Sequence, residues 1–236
     1  MITGASRGIG RALVQRVLEG GDRVAMLARG DAVEQLAVEL GPNCAGLKVD
    51  VGDADGVSAA IDRVMETWGQ LDVVVNNAGL HRGGRLARLD EADWNEVLST
   101  NLNGAMNVMR FADPHLQAGA SVINVGAVVG FRGFPGDAAY AASKAGLAGL
   151  TRALAIEYAQ RAVCVNLVIP GLVLTDMTEA LSDRALESMQ TIIPLGRYGE
   201  ADEVAAVIEW VSQSRYMTGA FVPVDGGLLS SFGAAL

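Results

Sequence analysis

Thr3-Gly4-Ala5-Ser6-Arg7-Gly8-Ile9-Gly10 is the stretch that best predicts the fold class. It runs directly into residues 11–18, whose apolar side chains recur at helical spacing. A glycine-rich turn that opens a helix is an anion site, because its backbone N–H groups point at a phosphate and the missing Cβ atoms let it approach. A plain turn is the alternative, since glycine also serves wherever the backbone has to bend. Only Met1 and Ile2 precede the loop, so we expect further residues of the first strand upstream.

Strand-like and helix-like segments alternate along the rest of the chain. Apolar segments typical of buried strands lie at residues 23–28, 47–51, 72–75, 121–125, 164–169 and 220–224. Segments with helical character lie at residues 31–40, 54–68, 93–110 and 200–212, with another around Tyr140. This alternation predicts one α/β domain over residues 1–236, a Rossmann-type doubly wound parallel sheet in three α/β/α layers. In such folds the ligand lies beyond the carboxyl ends of the strands.

The composition narrows the partners and the compartment. The 236 residues are 50% hydrophobic and carry a net charge of -9, which argues against a general nucleic-acid or anionic-membrane surface. The sequence has no apolar run of about 18 residues, so a membrane span is not expected. Cys44 and Cys164 show no metal-like or redox-like spacing, so we expect two buried free thiols, no metal site and a cytoplasmic protein. An organelle-targeting segment upstream of residue 1 is the alternative.

Tyr140 and Lys144 are the candidate catalytic pair. They are four residues apart on a predicted helix and therefore stack on one face. A phenol with an ordinary pKa of about 10 is a poor acid or base near neutral pH unless a cation stabilises its phenolate, and Lys144 supplies such a cation. Facing a cleft, the pair is suited to protonating a carbonyl as hydride arrives, or deprotonating an alcohol as hydride leaves. An ordinary helix that carries both residues is the alternative.

The end of the second predicted strand indicates which dinucleotide binds. This position meets the adenosine ribose in a dinucleotide-binding unit, and an acidic residue there favours NAD. Here the strand ends at Ala28-Arg29, and Arg7 lies in the phosphate loop. Two guanidinium groups suit a 2′-phosphate, since they form planar bidentate hydrogen bonds. We therefore expect NADP, although the nearby Asp31 would favour NAD.

Two asparagine-containing segments are further candidates. Asn76-Asn77-Ala78-Gly79 follows an apolar strand and is either a structural turn or a carboxamide-lined wall beside the cofactor. Asn101 lies inside a predicted helix, where asparagine lowers helix propensity. It is either solvent-exposed or part of a backbone kink that holds a water molecule near the active site.

Two other segments have both a plain and a functional interpretation. Residues 81–88 contain His81, Arg82, Arg85 and Arg88 and are either a solvated loop or a surface for an acidic partner. Residues 175–195 are rich in Met, Leu and Ile and form either a lid over an apolar substrate or a permanent part of the core.

The chain resembles the short-chain dehydrogenase/reductase family over essentially its whole length. The family's motifs occur in its order and at its spacings: Thr3-Gly4-x-x-x-Gly8-x-Gly10, Asn76-Asn77-Ala78-Gly79, Tyr140-x-x-x-Lys144 and Pro170-Gly171. Within the family it looks most like the 3-oxoacyl-(acyl-carrier-protein) reductases, by residues 3–10, 139–146 and 193–197. The resemblance implies an NADPH-dependent homotetramer of fatty acid biosynthesis that reduces a 3-oxoacyl thioester linked to acyl-carrier protein or coenzyme A.

The resemblance also implies catalytic roles for three residues. Tyr140 would be the general acid, and Lys144 would lower the pKa of Tyr140 while bonding the nicotinamide ribose. Asn101 would hold a proton-relay water.

A larger set of residues is implied to bind the cofactor. Asp50 and Val51 would border the adenine, and Val173 and Thr175 would bond the nicotinamide carboxamide. The full set is Gly4, Ser6, Arg7, Gly8, Ile9, Gly10, Arg29, Asp50, Val51, Asn77, Ala78, Gly79, Tyr140, Lys144, Pro170, Gly171, Val173 and Thr175.

One position departs from the family pattern. The family has a serine thirteen residues before the tyrosine, where this chain has Ala127. That serine would bond the substrate carbonyl, and loss of one such donor costs roughly 10²–10³ in kcat. An engineered serine-to-alanine variant, a naturally weak reductase and a catalytically silent subunit kept for assembly are the three explanations. A sugar or secondary-alcohol dehydrogenase is the alternative activity.

Overall fold

Seven parallel strands form one sheet in the computed structural model, which describes residues 1–174 and 183–231. The strands are β1 Ile2–Thr3, β2 Val24–Ala28, β3 Cys44–Lys48, β4 Val73–Asn76, β5 Ser121–Val125, β6 Cys164–Pro170 and β7 Phe221–Val224. Their order across the sheet is β3-β2-β1-β4-β5-β6-β7, and every neighbouring pair is parallel. The order reverses between β1 and β4, as in a doubly wound sheet, and the predicted fold class is confirmed.

Helices cover both faces of the sheet, because successive residues of a strand point to opposite sides. The helices are α1 Gly8–Glu19, α2 Ala32–Leu40, α3 Ala54–Trp68, α4 Glu91–Leu98, α5 Gly104–Ala112, α6 Ala138–Ala159, α7 Asp183–Gln190 and α8 Ala201–Gln213. In β2, Ala25 and Leu27 pack into a core with α3, α5 and α6, whereas Val24 and Met26 pack into another with α1, α2 and α8. The continuous apolar runs of the sequence therefore belong to strands buried on both faces.

Two predicted elements differ from the observed ones. The third strand spans Cys44–Lys48 rather than residues 47–51, because it pairs with β2 from Val24–Cys44 to Ala28–Lys48; within it, Gly46 passes so close to α2 that a Cβ would lie 2.3 Å from the Val33 carbonyl oxygen. The long helix predicted at residues 93–110 is interrupted, since a π-helical turn, Ser99–Asn103, joins α4 to α5. Local periodicity carries no signal for either feature.

A buried chain of hydrogen bonds attaches α6 to the sheet. The Asn76 side-chain amide donates to the Asn124 carboxamide oxygen at 2.8 Å, and Asn124 donates to the Thr151 hydroxyl at 2.9 Å. Thr151 in turn donates to the backbone carbonyl of Leu147 at 2.7 Å. Since α6 carries Tyr140 and Lys144, this chain helps to fix the candidate catalytic pair against β4 and β5.

Candidate active site

A cleft of about 550 Å³ opens at the carboxyl edge of the sheet, where the strand order reverses. The predicted site residues that line it are Gly4, Ser6, Arg7, Gly8, Ile9, Arg29, Val51, Asn77, Ala78, Gly79, Ala127, Tyr140, Lys144, Pro170, Gly171 and Val173. Gly10 and Asp50 lie against lining residues, and Asn101 is buried beside Leu80. Thr175 lies outside the described residues.

The phosphate loop has the shape that its glycines predict. Gly4 and Gly8 have positive φ angles of 64° and 52°, which side chains other than glycine rarely adopt. A Cβ on Gly10 would lie 2.4 Å from the Gly4 carbonyl oxygen, so glycine is required where α1 meets the loop. Arg7 at the N-cap of α1 has only donors in its side chain and cannot accept the amide protons of the first turn. Those amides fit the diphosphate of a dinucleotide.

The asparagine-containing turn after β4 holds this loop in place. The Asn77 side-chain amide donates to the carbonyl oxygens of Thr3 and Gly4 at 2.9 and 3.1 Å. The Thr3 hydroxyl accepts from the backbone N–H groups of Asn77 and Ala78 at 3.0 and 2.9 Å. The Asn77 carboxamide therefore has a structural role, and the wall that faces the cleft is formed with the small residues Ala78 and Gly79.

Arg7 and Arg29 line the end of the cleft formed after β1 and β2. The Arg29 guanidinium lies 3.4 Å from the Glu96 carboxylate and 3.9 Å from that of Asp50, and its side chain is half-exposed. Val51 lines the cleft nearby. Asp31 lies 2.5 Å from the Lys48 ammonium, so its charge is already compensated by an ion pair. The cationic side chains therefore suit a phosphate at this end.

Asn101 lies in the π-helical turn and is 1% exposed, so the interpretation of a solvent-exposed asparagine is wrong. Its carboxamide oxygen accepts from the Leu80 N–H at 2.8 Å, and its amide donates to the Leu80 carbonyl at 2.9 Å. The amide also donates to the Ser143 hydroxyl at 3.1 Å. The kink thus joins the turn after β4 to α6. A Cβ on Gly79 would lie 3.4 Å from Asn101 Oδ1 and 3.5 Å from Lys144 Nζ.

Tyr140 and Lys144 lie together in the cleft, with the Lys144 ammonium 5.6 Å from the centroid of the Tyr140 ring. The ammonium donates to the Val125 carbonyl at 2.8 Å and is 3% exposed. Burial lowers the pKa of Lys144 to about 8. Burial, together with the charge of Asp137, raises the pKa of Tyr140 to about 12. The net shift is upward because desolvation of the phenolate is the largest contribution, and the lowering of the Tyr140 pKa expected from Lys144 stays a prediction.

Two residues beside Tyr140 were missed by the interpretation of the sequence. His81 Nε2 lies 2.8 Å from Asp137 Oδ1, and the His81 ring meets the Tyr140 ring edge-on, with centroids 5.3 Å apart. Asp137 also lines the cleft. The signal that identifies Asp137 is its position three residues before Tyr140, one helical turn away. His81 has no comparable signal, because only the fold brings its loop to α6.

Ala127 follows β5 at the wall of the cleft and is buried, with 9% exposure. Its backbone is extended, and its carbonyl accepts from the Gly130 N–H at 3.1 Å. Gly130 packs tightly on α6, since a Cβ there would lie 2.8 Å from the Ala145 nitrogen. The position at which the family has a serine therefore lies on a fixed backbone in the same cleft as Tyr140.

The cleft is closed on one side by the segment after β6. Gly171 packs against β7, where a Cβ would lie 2.6 Å from the Asp225 Cα. Of the proposed lid, residues 175–182 lie outside the described residues. The described part contains α7, and Leu186 and Met189 of this helix, with Ile192 just after it, pack against a core cluster. These contacts agree with the alternative interpretation, in which the segment is a permanent part of the core.

The two cysteines, Cys44 and Cys164, are free thiols, as their spacing predicts, but both are only partly buried, so the expectation of buried thiols is wrong. Within residues 1–174 and 183–231, there is no group of three His, Cys, Asp or Glu residues that could hold a metal ion. No helix in the same part of the chain is long and apolar enough to cross a membrane.

The doubly wound sheet, the glycine loop at a helix N-terminus and the Tyr-Lys pair in one cleft define a dinucleotide-binding oxidoreductase fold. The chain belongs to the short-chain dehydrogenase/reductase family, and a family model described as enoyl-(acyl carrier protein) reductase matches residues 4–229. It is 40% identical over 237 residues to the 3-oxoacyl-(acyl-carrier-protein) reductase FabG of Staphylococcus aureus strain Mu50, covering 97% of this chain and 96% of that protein.

Two solved structures are similar to the whole chain. A blue fluorescent protein from a metagenomic library, in complex with NADPH, has a TM-score of 0.90 and 31% identity, and covers 96% of this chain and 95% of its own. ElxO with NADP bound has a TM-score of 0.92 and 28% identity, and covers 98% of each chain.

Proposed function

We propose that this protein reduces the 3-oxo group of an acyl thioester to a hydroxyl group with NADPH. The observation that carries the proposal is the position of Tyr140 and the buried Lys144 in the same cleft as the phosphate loop. The similarity to a 3-oxoacyl-(acyl-carrier-protein) reductase over nearly the full chain supports the substrate class. The thioester is linked to acyl-carrier protein or to coenzyme A.

NADP fits the cleft because each part of the dinucleotide meets a suitable group. The first amides of α1 would hold the diphosphate, and Arg7 and Arg29 would supply cations for the 2′-phosphate. Val51 with Asp50 would border the adenine, and the segment around Val173 would meet the nicotinamide carboxamide. When bound, NADPH supplies the hydride.

The residues of this chain supply the proton. With a pKa of about 12, Tyr140 is in its acid form at neutral pH, and it donates its hydroxyl proton to the substrate oxygen. Lys144 is still mostly charged at pH 7, since its pKa is about 8, and its cation stabilises the resulting phenolate. The Lys144 ammonium is buried, which strengthens this interaction.

We further propose that Ala127 weakens catalysis, because no hydroxyl stands where the family places one. The test is Ala127→Ser, assayed by NADPH oxidation with an acetoacetyl thioester. A gain of about 10²–10³ in kcat is expected from one restored hydrogen-bond donor. Ala127→Val is the matched control, since it adds volume without a hydroxyl. A serine variant as slow as the alanine form would count against the reductase proposal.

A catalytically silent, cofactor-binding subunit is the second candidate, and Ala127 favours it. Such a subunit would bind NADPH in the serine-restored form, remain without turnover and assemble stably with another chain. Retention of Asn101, Tyr140 and Lys144 favours the enzyme instead. Reduction of a sugar or secondary alcohol by the same chemistry is distinguished by comparing kcat/KM for those substrates with that for the thioester.

The assembly and compartment are also proposals. Met106 on α5 and Ile156 on α6 are 41% and 78% exposed, and burial of such apolar side chains between subunits would support the homotetramer. Sedimentation of Met106→Asp and Ile156→Asp variants tests this. We place the protein in the cytoplasm, where acyl-carrier-protein chemistry of this type would occur.

Docking of an acidic carrier protein would use Arg82, Arg85 and Arg88. Arg85 and Arg88 are exposed, whereas Arg82 already pairs with Glu96 at 3.0 Å. Charge reversal of Arg85 and Arg88 should raise KM for carrier-linked substrate and spare a small thioester. Equal effects on both substrates would refute docking.

A further inference from the structure

His81 and Asp137 form a hydrogen-bonded pair that the reaction proposed above does not use. Their 2.8 Å contact joins the loop after β4 to the start of α6, and the Gly84 N–H donates to the Gly136 carbonyl at 2.9 Å beside it. The His81 side chain is 34% exposed and that of Asp137 is 16% exposed. The pair therefore has one member open to solvent and one largely within the cleft wall.

Both members act on Tyr140, but in different ways. The His81 ring meets the Tyr140 ring at an interplanar angle of 85°, the edge-on geometry that aromatic rings prefer. Asp137 presents a negative charge to the buried phenol, and this charge contributes to the raised Tyr140 pKa. His81 is fixed in orientation by Asp137, so the three side chains form one unit.

Other charged groups near the unit are engaged elsewhere. On the His81 segment, Arg82 pairs with carboxylates of α4, at 3.0 Å from Glu96 and 3.5 Å from Asp93. On α6, the Lys144 ammonium is bound by the Val125 carbonyl. Among the described groups, His81 is thus the cation-forming side chain in direct contact with Asp137.

We propose that His81 and Asp137 are positioning residues for Tyr140. The imidazole contacts the phenol ring and holds its orientation. The charge of the imidazole sets how strongly the Asp137 carboxylate acts on the phenol. A neutral imidazole leaves the carboxylate charge to oppose the phenolate. A protonated imidazole compensates that charge, so the phenolate is less opposed and Tyr140 becomes a stronger acid. Histidine is the side chain that changes charge between pH 5 and 8, so Tyr140 responds to pH in this range.

Only the kinetic consequence rests on the proposed function. If Tyr140 donates a proton during reduction, kcat should rise severalfold as the pH falls through the His81 titration, because the acid becomes stronger. KM for the thioester should stay nearly constant, since neither residue is required to bind it. The coupling of the three side chains exists without any substrate.

The substrate-free test is NMR of the full-length protein with ¹³Cζ-labelled tyrosine. The chain has four tyrosines and two histidines, so every resonance is assignable, with Tyr140→Phe identifying Tyr140. The Tyr140 resonance should show a step between pH 5 and 8 that coincides with the His81 titration. The step should vanish in His81→Phe, which keeps an aromatic ring at this position. In Asp137→Asn the step should become smaller, because the carboxylate charge that the imidazole compensates is gone.

Matched controls separate this coupling from general charge effects. His115→Phe removes the other histidine, and Asp62→Asn removes an exposed carboxylate on α3; both should leave the step unchanged. If His81→Phe fails to fold, His81→Gln tests the same loss of titration while keeping a hydrogen-bond donor for Asp137. A flat Tyr140 resonance in the unmodified protein, or a step that survives both His81 variants, would overturn the inference.

The kinetic arm distinguishes this inference from the proposed function. It compares the pH dependence of kcat in the Ala127→Ser background with and without His81→Phe. Turnover without an NMR step would refute the positioning pair and leave the reductase proposal standing. An NMR step without turnover on any thioester would support the positioning pair and count against the reductase proposal.

Discussion

The Lys144 ammonium is bound by the Val125 backbone carbonyl at 2.8 Å, two residues before Ala127. The same strand end thus holds the candidate cation and presents the position where the family has a serine. Burial of this ammonium costs free energy, as its lowered pKa of about 8 indicates. Part of the fold's stability is therefore given up to place a cation beside Tyr140.

Stability should depend on the Lys144 titration. The folded-state pKa of about 8 lies below the ordinary 10.5, so between these values the unfolded state binds more protons and the free energy of unfolding rises with pH. Relative to Lys144→Met, the unmodified protein should gain about 1 kcal/mol between pH 7 and pH 9. Urea denaturation of both proteins at the two pH values measures this. A constant difference would show that Lys144 keeps an ordinary pKa.

The reverse reaction should be favoured by alkaline pH. Oxidation of a 3-hydroxyacyl thioester with NADP needs the Tyr140 phenolate as base, and its pKa of about 12 leaves little phenolate at pH 7. In the Ala127→Ser background, kcat/KM for oxidation should rise about tenfold per pH unit below pH 8 and more slowly above it, because Lys144, with a pKa of about 8, then loses the charge that stabilises the phenolate. The reductive rate should not rise with it, and Tyr140→Phe should abolish both. An oxidation rate that levels off near pH 7 would contradict the raised pKa.

Gly10 should be intolerant of a side chain. Gly10→Ala places a Cβ 2.4 Å from the Gly4 carbonyl oxygen and 2.6 Å from Asn77 Nδ2, so the phosphate loop must shift. We expect NADPH affinity to fall at least tenfold, measured by fluorescence titration. Gly149→Ala is the control: no atom lies within 4 Å of its Cβ on α6, so it should stabilise the protein by about 0.5–1 kcal/mol.

Arg29 should select NADPH over NADH. Removing its guanidinium in Arg29→Ala should raise KM for NADPH about 10–100-fold, the effect of losing charge-assisted hydrogen bonds to a phosphate, and should leave KM for NADH almost unchanged. Arg63→Ala, an exposed arginine on α3, is the charge-matched control. An equal rise in KM for both cofactors would mean that Arg29 instead stabilises the local structure through its ion pairs with Glu96 and Asp50.

The buried Asn124 should be important for stability. Asn124→Leu leaves the Asn76 amide without its partner and removes the donor to the Thr151 hydroxyl, which keeps only its bond to the Leu147 carbonyl, at a cost of about 1–3 kcal/mol in the free energy of unfolding. Gln35→Ala removes an exposed hydrogen bond to Glu39 and should change stability by less than about 0.5 kcal/mol. Thermal unfolding of both variants provides the comparison.

The amino-acid sequence alone predicts the fold class and most of the cleft. Its glycine spacing, its apolar strands and the helical spacing of Tyr140 and Lys144 are local patterns, and local patterns are set by backbone geometry and side-chain periodicity. The departure at Ala127 is equally local, because a fixed spacing from Tyr140 is enough to identify the position.

The electrostatics around Tyr140 depend on tertiary contacts that the sequence does not reveal. His81, in the loop after β4, contacts Asp137, which lies fifty-six residues later in the chain. No local sequence pattern predicts such a contact. Burial of the phenol beside that carboxylate raises the Tyr140 pKa, although the Tyr-Lys spacing alone predicts that it falls. The desolvation of a charge depends on every element packed around it, and that is a property of the folded chain.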